Sequence, residues 1–195
     1  MAIASAYADP VHEAQRAFRA TMNALARPGT IQPVAGLAEA PRPLGPVAAA
    51  VVLALVDFET SLYLDPVAAT EETRAYLTFH SGARLTDDPS KANFAVIADP
   101  QALGDLSGFA LGTDAYPDRS TTLILQVPAL GAGRTFRLEG PGIKGEARLA
   151  VAGLPDGLTA ALAANHALFP RGVDLVLASP HGVAALPRTT RISEA

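Results

Sequence analysis

The stretch Thr121-Thr-Leu-Ile-Leu-Gln-Val127 runs β-branched and leucine residues in continuous series. A strand with one wet face alternates apolar and polar residues. This one does not, and it reads as a strand covered on both faces, as in a parallel sheet. Phe94-Ala-Val-Ile-Ala98 has the same buried character and is followed by Asp99-Pro100. Ser61-Leu-Tyr-Leu64 reads as a third strand. Residues 174–178 and 183–186 read as two more, joined in a hairpin by Ser179-Pro-His-Gly182. Residues 134–139 alternate, with Thr135 and Arg137 opposite Phe136 and Leu138, so this strand is half exposed after a Gly131-Ala-Gly133 turn.

Helical patterns lie between these strands. Asp9 suits a cap and Pro10 a first helical position, and a helix is expected over 9–26. Val11, Ala14, Phe18, Met22 and Leu25 fall in one narrow arc and predict its buried stripe, and Pro28-Gly29 ends it. The Pro- and Gly-punctuated run 32–46 reads as an internal loop. Residues 46–56 are apolar all round and predict a buried helix. Further helices are expected from Asp65-Pro66 to about Phe79 and over 154–168, with a helical turn or two over 101–106. Strands interleaved with helices argue for an α/β fold, and the late hairpin makes the sheet mixed. The expectation is a single domain, 1–195, with a mixed β-sheet flanked by helices.

Composition removes several function classes. At 195 residues and 49% hydrophobic, the chain is long enough to bury a core without a disulfide or metal. It has no cysteine, which excludes thiolate zinc sites, iron–sulfur clusters and cysteine nucleophiles. A net charge of −4 offers nucleic acid no overall attraction. The N-terminus lacks the pattern of a signal peptide, and the most apolar segment is half the roughly 20 residues of a membrane span. A soluble, cytoplasmic protein is expected.

Chemistry-bearing residues are sparse. The histidines at 12, 80, 166 and 181 show no metal-binding spacing. No G-x-S-x-G elbow is present, and the glycines between 131 and 145 read as turns, not a phosphate loop. The two lysines, Lys91 and Lys144, sit in turns and read as solvated, a poor setting for a Schiff base. No cofactor and no catalytic residue are expected. His80, at a helix-to-loop transition, is the histidine most open to a ligand role. On the first helix His12, Arg16, Arg19, Asn23 and Arg27 share one face. Spacing alone favours a solvated face. The functional alternative is a basic ridge for an acidic protein partner or a phosphate-bearing ligand.

Four blocks resemble the PhnH family, the H subunits of bacterial carbon–phosphorus lyase. They are Ala14-Gln-Arg-Ala-Phe18-Arg19 continuing through Met22 to Arg27-Pro28-Gly29-Thr30, then Val52-Leu-Ala-Leu-Val-Asp57 with Thr60, Leu62 and Phe79-His80. The third is Thr121 to Val127 with Gly133-Arg134 and Leu138-Glu-Gly-Pro-Gly-Ile143. The last is Phe169-Pro-Arg-Gly-Val-Asp174-Leu175, closing on Leu186-Pro-Arg188-Thr-Thr190. Their order matches the family over nearly the whole chain. The resemblance implies a fold similar to the large domain of pyridoxal-phosphate transferases, without the cofactor. It implies a homodimer in isolation and a place beside the G, I and J subunits. That assembly, with the L subunit, is associated with moving a phosphonate onto ribose C1 of ATP and displacing adenine. The family assigns the H subunit no catalytic residue. The other reading is a stand-alone enzyme of phosphorylated metabolites that uses His80, Arg188 or the arginine ridge.

Overall fold

The computed structural model describes residues 6, 7 and 9–195. In chain order its elements are α1 (Pro10–Ala26), β1 (Gln32–Pro33), α2 (Pro46–Leu55), β2 (Ser61–Leu64), α3 (Glu71–Ser81), β3 (Arg84–Thr86), β4 (Phe94–Ile97) and β5 (Thr122–Gln126). They continue as β6 (Leu130–Glu139), β7 (Ala147–Val151), α4 (Leu158–Ala167), β8 (Asp174–Ser179), β9 (Gly182–Leu186) and β10 (Arg191–Glu194). Short 3₁₀ turns occupy part of the long connections.

The apolar run that opens the sequence reading is the middle of a seven-stranded sheet, in the order β1-β9-β8-β5-β4-β2-β3. Its neighbours β4 and β8 both run parallel to β5. Ile124 faces a core built with α1, α2 and α3, while Leu123 and Leu125 face a second core on the other side. Each such leucine or isoleucine, fully buried, contributes about 1.5–3 kcal/mol. That two-sided burial is why the strand has no polar alternation. The β8–β9 hairpin is antiparallel, so the sheet is mixed, as expected.

The second face departs from a simple helix layer. It is covered by α4 together with a separate three-stranded antiparallel sheet, in the order β10-β6-β7. Two of its strands, β6 and β7, are inserted in the chain between β5 and β8, and the third, β10, follows β9. Phe136 and Leu138 point from it into the core, and Arg137 points out. The Gly131-Ala-Gly133 segment is not a turn. It is a bulge within β6, where both Leu130 and Arg134 stand opposite Val151.

Three helix expectations need correction. The stripe Val11, Phe18, Met22 is not the buried face of α1: these residues are 75%, 46% and 36% exposed. The helix instead buries Ala17, Ala20, Thr21 and Ala24, about a third of a turn away. Small side chains let it lie close on α2 and β9, and Thr21 returns its hydroxyl to the Ala17 carbonyl at 2.9 Å. The third helix starts at Glu71, capped by Thr70, rather than at Asp65. Asp65 is buried and occupied elsewhere. It accepts N–H groups from Ala68 at 2.7 Å and from Ala98 and Asp99 at 3.1 Å, tying its turn to the end of β4. The fourth helix is likewise shorter than expected, starting at Leu158.

Candidate functional site

In open α/β sheets, ligands lodge outside the carboxyl ends of the parallel strands. Here that edge carries a cavity of about 260 Å³, lined by Ala98 after β4, Gln126 of β5, Ser179 of β8 and the start of α2 from Gly45 to Ala48. Gln126 braces it, accepting from the Gly45 N–H at 2.6 Å and donating to the Pro43 carbonyl at 3.2 Å. The Ser179 hydroxyl donates to the Gly182 carbonyl at 3.0 Å. No titratable side chain lines this crevice. Lys91 pairs with Asp88 at 3.0 Å, and Lys144 lies in the β6–β7 connection, so neither lysine reaches it. The lining therefore does not fit a Schiff-base cofactor. Among the described residues no group of three or more His, Cys, Asp or Glu is arranged for a metal. No helix among them is long and apolar enough to cross a membrane.

The sequence candidates fall in three separate places. Arg16 and Arg19 are exposed on α1, while Arg27, also exposed, lies just past the helix as its C-cap with non-helical backbone, so the ridge expected along one helix face stops short of it. Arg16 lies 3.9 Å from Glu13, while Arg19 and Arg27 make no ion pair among the described residues. Beside this ridge runs the half-exposed stripe of Val11, Phe18 and Met22. Asp9 caps the helix, accepting from the His12 N–H at 3.3 Å. That bond holds its carboxyl below the usual range.

His80 ends α3 with its ring against Tyr76 at 4.4 Å and Phe79 at 5.0 Å. Its Nε2 is buried and has no hydrogen-bond partner, and burial pushes the imidazole below its ordinary value. Phe79 is exposed, and so is Phe58, which packs near Gly82 just past the helix end.

Arg188 lies at the opposite end of the sheet from the crevice. Its guanidinium meets both oxygens of Asp174, the Ser120 hydroxyl and the Pro117 carbonyl. Its donors are thus spent on the protein, and it joins the starts of β5 and β8 to the chain before β10. Close by, His166, Thr189 and Arg191 share a pocket with Gly140, Pro141 and Phe169. Sequence reasoning placed His166 only among four histidines without metal-binding spacing and did not single out Thr189 or Arg191 as site residues. They come from two remote segments and leave no local pattern.

The sequence profile described as "Bacterial phosphonate metabolism protein (PhnH)" matches residues 5–193. Alpha-D-ribose 1-methylphosphonate 5-triphosphate synthase subunit PhnH of Rhizobium meliloti (strain 1021) is 44% identical over 187 residues, covering 96% of this chain and 94% of that protein. HtxG of Stutzerimonas stutzeri, named provisionally as a C-P lyase subunit protein, is 36% identical over 181 residues, covering 92% and 85%.

Proposed function

The chain belongs to the PhnH family of bacterial phosphonate metabolism proteins, and on that premise we propose that it is a non-catalytic subunit of a carbon–phosphorus lyase system. In this reading it supports transfer of an alkylphosphonate to ribose C1 of ATP, with adenine displaced. Its partners there are the G, I and J subunits, and alone it forms a homodimer. Kinship with the large domain of pyridoxal-phosphate transferases is part of the same reading. The mixed sheet, with a crevice at its carboxyl edge, supports that kinship.

One observation carries the docking role. On α1 a stripe of large apolar side chains stays half exposed, while the helix packs on the sheet through alanines and a threonine. Arg19 and Arg27 flank it without acidic partners among the described residues. Such a face suits a protein partner with an apolar seam and an acidic rim. The test is synthase turnover by the other subunits with and without this chain, beside turnover by this chain alone. Turnover that needs the chain, with none from the chain alone, is the expected result. Robust turnover by the isolated chain overturns the reading.

A further inference from the structure

We propose that the pocket between His166, Thr189 and Arg191 binds the oxyanion of a small phosphonate or phosphate ester, with the ester or carbon substituent lying on Phe169. The proposal rests on the phosphonate reading for its ligand class alone; the pocket stands on its own geometry. The pocket, about 260 Å³, is at the small end of ligand sites and suits a fragment-sized molecule. Three remote stretches build it: the Gly140-Pro141 corner after β6, the end of α4 through Phe169, and Thr189–Arg191.

Each wall has a defined chemical role. His166 Nδ1 contacts the Arg188 carbonyl at 2.9 Å. A carbonyl only accepts, so Nδ1 carries the proton, and Nε2, unbonded among the described residues, is left for a ligand. Protonated, His166 donates from both nitrogens, one to the carbonyl and one to the oxyanion.

The Arg191 guanidinium is 68% exposed, and its one acidic neighbour, Glu139, lies 4.0 Å away. That carboxylate already holds Arg137 at 2.9 Å. Arg191 is therefore available for the planar two-point contact arginine makes with phosphate-type groups. Thr189 adds a hydroxyl with no partner among the described residues. Around His166 the other charges are already paired, Arg188 with Asp174 and Arg171 with Asp114. Glu139 is a repulsive group beside Arg191, and Arg137 offsets it. The exposed Phe169 ring and Pro141 supply the apolar wall.

Gly140 keeps the corner open. A Cβ there would meet the Thr189 carbonyl oxygen at 2.8 Å. The contact is with backbone, so a side chain would displace the segment that presents Thr189 and Arg191.

Calorimetric titration of the full chain with phenylphosphonate, phenyl phosphate, methylphosphonate and inorganic phosphate tests the site. Expected is saturable binding, measured at one fixed pH so that the probes keep a constant charge. Phenyl probes should bind tighter than methylphosphonate or inorganic phosphate. Arg191→Ala should weaken binding roughly tenfold or more. His166→Asn keeps a donor for the Arg188 carbonyl and removes Nε2; it should weaken binding while leaving the fold intact. Lys91→Ala, far from the pocket, should change nothing. The phosphonate-to-phosphate ratio identifies the natural headgroup. No saturable binding, or equal loss in the Lys91 variant, overturns the site. Co-purification with the partner subunits reads the assembly role separately and should survive Arg191→Ala.

Discussion

Arg188 holds Asp174 from two sides, its side chain on both carboxylate oxygens and its backbone N–H on Oδ1 at 2.8 Å. The two side chains are only 12% and 22% exposed. Removing the cation leaves a largely buried carboxylate without its partner, together with the Ser120 hydroxyl and the Pro117 carbonyl. Arg188→Ala should therefore cost about 3 kcal/mol, read as a lower urea midpoint. Arg188→Lys should recover little, because an ammonium does not span the fork. A Lys variant as stable as the parent would show that charge alone suffices.

The exposed stripe of α1 separates stability from association. Phe18→Ala should cost about 1 kcal/mol, since the ring is near half exposed in the chain. By contrast Phe136→Ala, at 1% exposure, should cost about 3–5 kcal/mol. Phe18→Glu should keep the melting temperature near that of Phe18→Ala while abolishing co-purification with the partner subunits. Arg19→Glu should weaken the same association while changing stability by no more than about 0.5 kcal/mol, and added salt should weaken the parent complex. Full retention of partners by both charge variants would place the interface elsewhere.

His80 gives a pH signature. Burial disfavours its charged form in the folded chain, so the unfolded chain takes up the proton first. Its effect is absent well above the ordinary imidazole value of about 6.5. Stability then falls as the pH drops below that value, until the folded chain protonates too. Melting temperatures at pH about 5 and about 7.5 should diverge less for His80→Leu than for the parent. An identical drop in both would remove His80 from the account.

Gly142 joins the small sheet to α1. Its φ is +80°, and a Cβ would come within 2.2 Å of the Ala26 carbonyl oxygen. Gly142→Ala should therefore destabilise the chain by about 2 kcal/mol, measured by thermal denaturation. A neutral outcome would mean that the hairpin corner swings clear of the helix end at little cost.

The central strands, the first two helices and the closing hairpin were legible because each carries a local signal. Asp9-Pro10 marks a helix start, and continuous apolar runs mark β4 and β5. The missed strands are short or polar. β10 is Arg-Ile-Ser-Glu, and only pairing with β6 makes it a strand. The buried side of α1 was misread because periodicity reports a stripe of large apolar residues and not what covers it. Alanines packed against β9 outcompeted that stripe for the core. Asp65 was misread as a helix cap because its real partners, Ala98 and Asp99, lie over thirty residues downstream. The same applies to His166 and Arg191, which only the finished fold makes neighbours.

The insertion of the β6–β7 hairpin between β5 and β8 sets a timetable for synthesis. Emerging from the ribosome, β5 can pair at once with β4, made just before it. Its other edge waits for β8, about fifty residues later. Throughout that delay the most apolar strand of the sheet has an open edge, the condition that invites pairing with another chain. The intervening residues include β6 and β7, a hairpin that needs only local contacts and lays Phe136 and Leu138 toward the bare face. The inserted hairpin can thus cover one face of the nascent sheet before its last parallel strand arrives.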